Sequence, residues 1–127
     1  MLIIKTRKKN SLIENAGIGL FTTEYIEKGE VVWKRDITDI AILRDEYKEL
    51  EVKGLAEWVE KYGTQEIDGS WFLDGDDCKY MNHSKTPNIL FLDYVGVALR
   101  DIEINEELYC DYSTITTIEH YKKLLTI

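Results

Sequence analysis

The sequence predicts a β-rich α+β domain, and three observations carry that prediction. Short segments of β-branched and aromatic residues recur along the chain, as in Val31-Val32-Trp33, Trp71-Phe72-Leu73, Ile89 to Leu92 and Val95 to Leu99. A single long segment, Arg44 to Tyr62, has helical periodicity. A short second helical pattern closes the chain after Thr116. At 127 residues the chain has the length of one domain, and no internal repeat or linker divides it.

In chain order, Leu2 to Thr6 reads as a first strand, followed by Arg7-Lys8-Lys9 as a solvated turn. Gly17-Ile18-Gly19 opens an apolar run from Leu20 to Thr23. A turn follows at Ile26 to Glu30, with Gly29 at the position that needs a positive φ. In the helical segment, Tyr47, Leu50, Leu55, Val59 and Tyr62 keep helical spacing. Glu49–Lys53 and Glu57–Lys61 add i,i+4 pairs, and Gly63 is the expected C-cap. Gly54 weakens the middle, which leaves two short helices open as an alternative. Glu107 to Asp111 reads as a short last strand. Thr116-x-x-Glu119 predicts a capping box, with Ile118, Tyr121 and Leu125 on one face and His120 exposed.

Charge narrows the function. The chain has 16 basic and 24 acidic side chains, a net −8. Residues 36–77 alone hold 13 acidic and 4 basic side chains. One region therefore carries the acidic excess, which disfavours nucleic acid and suits either a lysine-rich protein segment or a simple solvated face. Two cysteines, Cys78 and Cys110, make no disulfide framework and no four-cysteine zinc site. No run of eighteen apolar residues suggests a membrane span. Met1 to Asn10 has no signal-peptide core, so an intracellular, cytoplasmic protein is expected, or a nuclear one in a eukaryotic or virus-infected cell.

Several motifs could carry chemistry. Gly17-x-Gly19 lacks the third glycine of a dinucleotide fingerprint and reads as a tight turn or as backbone that approaches a ligand. Asp74-Gly75-Asp76-Asp77 invites calcium but fails the EF-hand template, because Cys78 and Lys79 occupy positions that need a ligand and a glycine. Asn82-His83-Ser84 lies between strands, and Ser84 beside His83 has no geometric warrant as a nucleophile. Glu107 to Tyr112 is a strand ending in a tyrosine, either packed or aimed at a reacting centre.

Taken together and in this order, the motifs resemble the SET domain of protein-lysine methyltransferases. "LFTTEYIEKGEVV" after the glycine turn is similar to that family's opening segment, "WFLDGDDCKYMNHSKTPNI" to its central segment and "ALRDIEINEELYCDY" to its closing segment. The resemblance covers about residues 2–113 as a core, with 36–70 as a variable insert and 114–127 as a tail, in one domain over 1–127. It implies a β-clip-like fold of several short sheets, with a closing segment threaded in a knot-like way. It also implies S-adenosylmethionine as cofactor and a lysine of a basic, histone-like protein as substrate.

Residue by residue, Gly17, Ile18 and Gly19 resemble the turn whose backbone holds the cofactor. Asn82 and His83 resemble the pair that binds its amino-acid end and adenine. Tyr112 resembles the catalytic tyrosine between cofactor and lysine channel, and Tyr80 would support the Asn82 loop. Trp71 stands where many members have a channel tyrosine, Phe91 takes another channel position, and Tyr121 is the expected tail residue closing the channel. Cys110 replaces a Phe or Tyr that often restricts the methylation state, so di- and trimethylation are sterically allowed. Lys85 replaces a zinc-binding cysteine, so no metal is expected. Asp111 is adjacent to Tyr112, but on a strand it points the other way and is not expected to be a base. Homodimerisation is one way for so small a domain to complete its groove. The alternative is a SET-like module that binds a basic segment without catalysis; intact Asn82, His83 and Tyr112 argue against it.

Overall fold

The computed structural model describes residues 1–125, in four small sheets and three helices. β1 (Thr6–Asn10) pairs antiparallel with β2 (Ile18–Thr22). The strand expected at Leu2 to Thr6 thus lies further along the chain. Leu2 makes only an isolated bridge to Trp33, and Arg7-Lys8-Lys9 is strand rather than turn. An exposed edge strand has no apolar pattern to announce it, and lysines on it discourage further pairing. Here the ammonium of Lys9 lies 4.2 Å from the centre of the Phe21 ring, and Lys8 pairs with Asp77 at 3.6 Å.

β3 (Val31–Lys34) lies beside β9 (Val95–Ala98), which pairs in turn with β8 (Ile89–Leu92). β4 (Ile40–Ile42), β6 (Trp71–Leu73) and β5 (Thr64–Gln65) form a second three-stranded sheet, with β6 central. β7 (Asn82–His83) and β10 (Tyr109–Cys110) make a short parallel pair. Buried Leu20, Ile26, Val32, Ile89, Ile102 and Leu108 centre the main core.

The long helical pattern divides into α1 (Arg44–Val52) and α2 (Glu57–Tyr62). Gly54 makes the break, at φ 71°. Its N–H reaches Glu51 O at 3.0 Å, and the Leu55 N–H reaches Leu50 O at 2.8 Å. These are the two bonds of a Schellman closure, which needs a left-handed residue that glycine supplies without strain. The two helices and β6 enclose a second core of Ile42, Tyr47, Ala56, Val59, Trp71 and Leu73.

α3 (Ile118–Leu124) is capped one residue later than expected. The Thr117 hydroxyl accepts from the His120 N–H at 3.3 Å, while Thr116 Oγ1 accepts from the Gln65 N–H at 2.7 Å. This shift turns the helix. Ile118 and Leu125 are exposed, and His120, expected in solvent, is buried at 2% exposure. Its ring packs edge-on to Trp71 with centroids 4.7 Å apart. His120 Nε2 lies 2.5 Å from the Glu60 carbonyl, and Nδ1 lies 2.8 Å from Thr116 Oγ1. A carbonyl only accepts, so Nε2 carries the proton and Nδ1 accepts from the Thr116 hydroxyl.

Burial holds the His120 pKa below its ordinary value. Well above pH 6.5 the ring is neutral in both folded and unfolded chains. As pH falls below 6.5 the unfolded chain binds more protons, and stability drops. The thermal midpoint is expected to fall more steeply between pH 7.5 and 5.5 in the wild type than in His120→Gln. Comparing the two slopes cancels the other titrating groups, and equal slopes would contradict the role given to His120.

Candidate active site

The site is built around the parallel pairing of β7 and β10, which sets Asn82 beside Tyr109 and His83 beside Cys110. A two-residue pair is weak alone, and a buried side chain reinforces it. Asn88, with no exposed surface, donates from Nδ2 to Glu107 O at 2.8 Å and accepts at Oδ1 from the Tyr109 N–H at 2.8 Å. Its own N–H reaches Tyr109 O at 3.2 Å. The Asn88 amide thus acts as a further strand edge for the segment leading to Tyr112.

Glu107 joins this segment to the glycine turn. Its carboxylate is buried at 2% exposure and accepts four hydrogen bonds. Oε1 takes the Leu12 N–H and the Tyr109 hydroxyl, each at 2.8 Å. Oε2 takes the Ser11 hydroxyl at 2.7 Å and Asn82 Nδ2 at 3.3 Å. Burial, and then the carboxylate itself, push the Tyr109 phenol up to about 12, so it stays a donor. Asn82 Nδ2 also donates to Ile18 O at 3.0 Å, which ties β7 to the turn. Gly19 is glycine for a reason visible here: a Cβ would lie 2.5 Å from Glu107 Oε2.

Tyr112 lies between two regions. On one side its N–H donates to His83 Nδ1 at 3.0 Å, and the two rings are 5.2 Å apart. On the other side it lines a cavity of about 290 Å³. Its hydroxyl donates to Met81 O at 2.7 Å. Burial pushes the phenol well above its ordinary pKa, so the group is neutral. Asp111 is occupied elsewhere. It accepts from the Ser113 hydroxyl and N–H at 2.7 and 3.0 Å, and these bonds hold its carboxyl below the usual range.

The cavity walls are aromatic. Trp33 meets Phe91 and Phe72 edge-on at 5.5 and 6.1 Å, and all three line the space with Tyr94. Cys110 and Phe91, both expected in the channel, line it. Trp71 does not. Side chains alternate along β6, so Trp71 and Leu73 face the second core and Phe72 faces the cavity. Tyr121 does not line it either; its ring stands 5.5 Å from His83. The tail still supplies a wall, through Thr114, Ile115, Thr116 and Leu124. Tyr80 packs against Tyr62 at 5.9 Å.

Sequence reasoning missed the anchoring roles of Glu107 and Asn88, and it missed Phe72. Only the parity of β6 against its neighbours could have favoured Phe72 over Trp71. Among the described residues, no group of three or more His, Cys, Asp or Glu could hold a metal ion.

A family model described as the SET domain matches residues 17–113. The chain belongs to the SET-domain family. Members of this family are protein-lysine methyltransferases that use S-adenosylmethionine. The fold of this SET domain is similar to that in solved structures of Chaetomium thermophilum polycomb repressive complex 2. One, in an autoinhibited conformation bound to S-adenosylmethionine, is 25% identical with a TM-score of 0.66; the alignment covers 97% of this chain and 17% of that one. A crystal structure of the complex is 25% identical with a TM-score of 0.65, over 87% of this chain and 15% of that one. The apo complex in an autoinhibited state shares the fold at 24% identity and a TM-score of 0.68, over 97% and 17%. The SET domain described here thus spans less than a fifth of those chains. A comparison with curated proteins gives no match.

The donor set of this SET domain fits the cofactor's polar end. The glycine turn is exposed at Gly17 and Ile18. Asn82 Oδ1 has no hydrogen bond among the described residues and lies beside that turn. The His83 ring lies against Tyr112 and Tyr121, with centroids 5.2 and 5.5 Å away, so the turn, Asn82 and an aromatic group share one side of the site.

Gly19→Ala is expected to lower stability by about 1–3 kcal/mol, the usual range for forcing a methyl into packed space. Chemical denaturation checks this. A variant as stable as the wild type would mean that Glu107 does not hold the turn at contact distance.

Proposed function

We propose that this chain is an S-adenosylmethionine-dependent protein-lysine N-methyltransferase acting on a lysine in a basic protein segment. The observation that carries this reading is the double placement of Tyr112, which touches His83 on one side and lines the cavity on the other. When bound, the cofactor supplies a methyl group on a positively charged sulfur. The turn at Gly17, Ile18 and Gly19, together with Asn82 and His83, would hold it.

The chain's own residues prepare the amine. A free lysine has a pKa of about 10.4, so only about 0.1% is neutral near pH 7. A cavity walled by Trp33, Phe72, Phe91 and Tyr94 removes water from the side chain and favours the neutral form. The same ring faces attract an ammonium or methylammonium, each contact worth about 0.5–2 kcal/mol. The Tyr112 hydroxyl, fixed by Met81 O, keeps lone pairs free to orient the amine. Catalysis on this reading is mostly positioning.

The acidic excess of residues 36–77 supports a lysine-rich partner. Three acids, Glu66, Asp74 and Asp93, face two lysines, Lys61 and Lys79, in the cavity lining. Cys110 is buried at 3% exposure and lines the cavity with a small side chain. Space beside it suits successive methylations.

Tyr112→Phe is expected to lose about 100-fold or more in kcat, the scale of removing one fixed polar group at a reacting centre. Its affinity for S-adenosylmethionine by calorimetry is expected to stay within about threefold of wild type, since the ring and N–H contacts remain. Unchanged turnover in the folded variant would remove Tyr112 from the mechanism. Cys110→Phe is expected to shift the final product from trimethyl- toward monomethyl-lysine by mass spectrometry. A wild-type product that stops at monomethyl-lysine would contradict the space assigned to Cys110.

A further inference from the structure

The cavity lining carries the charged side chains Lys61, Glu66, Asp74, Lys79 and Asp93, and of these Asp74 lies beside Tyr112's neighbours Cys78, Met81 and Cys110 in the chain's central segments. Asp74 follows β6 directly, is half-buried and lines the cavity with Cys78, Met81, Cys110 and Tyr112. Its acidic neighbours all have structural work. Asp76 accepts from the Leu2 and Cys78 N–H groups at 2.6 and 3.1 Å. Asp77 pairs with Lys8. Asp39 accepts from the N–H groups of Asp36 and Gly75 at 2.7 and 3.1 Å. Asp74 makes no hydrogen bond or ion pair among the described residues.

A carboxylate withdrawn from water without a partner destabilises a fold. Burial chiefly, and then the charges of Asp39 and Asp76, push the Asp74 carboxyl up to about 7; the N-terminal amine and Lys79 oppose the shift. Burial keeps the Cys78 and Cys110 thiols protonated, so neither supplies a charge to the cavity. Asp74, Cys78, Cys110 and Tyr112 line the same cavity. An unpaired acid in an aromatic-walled cavity is placed to receive a cation.

We propose that Asp74 is the proton acceptor of the site: it receives the ammonium of the substrate lysine inside the cavity and takes its proton. The proposal rests on the methyltransferase reading and adds a base to it. In the step, one ammonium N–H bond breaks and its electron pair stays on nitrogen. A new O–H bond forms on the Asp74 carboxylate. The lysine is then a neutral amine beside the Tyr112 hydroxyl, and Asp74 later returns the proton to solvent through the cavity mouth.

The test uses wild-type protein and Asp74→Asn, which keeps shape and removes the base. In cofactor-free wild type, carbon-13 NMR of the aspartate carboxyls is expected to show one group titrating near pH 7, a signal missing from the variant. At pH 8, n-butylammonium, a mimic of the lysine side chain, is expected to move that signal. In turnover, the variant is expected to lose about 100-fold in kcat/KM, the lower end for a general base. The inflection near pH 7 in the wild-type profile is expected to vanish with it. Its affinity for S-adenosylmethionine is expected to be unchanged. Its thermal midpoint at pH 8 is expected to equal or exceed that of wild type, because the substitution removes an unpaired charge. A carboxyl titrating near pH 4, or a variant with the wild-type rate and pH profile, overturns the proposal. A wild type that methylates no lysine while n-butylammonium still moves the Asp74 signal overturns the methyltransferase reading instead.

Discussion

One buried carboxylate holds the two ends of this fold together. Glu107 gathers donors from Ser11 and Leu12 before β2, from Asn82 on β7 and from Tyr109 on β10, and it lies against the backbone of Gly19. A buried charge is tolerable only when its lone pairs are filled, and here four donors fill them. Moving any of these segments leaves a polar group unpaired inside the protein, at a cost of about 1–3 kcal/mol each. The glycine turn and the Asn82-His83 strand are far apart in sequence, yet they are held together because both meet the same carboxylate.

That constraint gives the site its division of labour. Glu107 and Asn88 fix β7 and β10, and Tyr112 lies two residues past the end of β10. The tyrosine is therefore placed by backbone pairing on rigid elements, not by a mobile loop. The helical insert and α3 have a separate core, joined through His120 to Trp71 and Glu60. They close one side of the cavity. The cavity's Trp33, Phe72 and Phe91 walls pack on the main core, and the appended core adds Tyr62 at one side.

Much of this was legible in the sequence, because its signals are local. β3, β6, β8 and β9 are short β-branched or aromatic runs, Gly29 marks a positive-φ turn, and Gly54 marks the weak point where the helix divides. The order of the Asn82-His83 and Glu107-to-Tyr112 segments carried the family. What was illegible depends on which face a side chain takes or on distant partners. Trp71 and Phe72 are equally aromatic, and only the packing of β6 assigns Phe72 to the cavity. His120 reads as solvent-facing until the cap moves from Thr116 to Thr117. Glu107 reads only as the start of the last strand, because its donors lie up to 96 residues away. Asp74 reads as part of a failed calcium loop, since sequence does not show that three neighbouring acids are engaged and it is not.

The central claim is that methyl chemistry and a lysine meet at Tyr112. It is tested most directly by locating the transferred methyl group. The purified protein is incubated with methyl-labelled S-adenosylmethionine and a panel of basic proteins, and the products are read by mass spectrometry. Label confined to lysine side-chain nitrogens is the expected result. Label on another residue type, or no label together with no cofactor binding by calorimetry, would contradict the account.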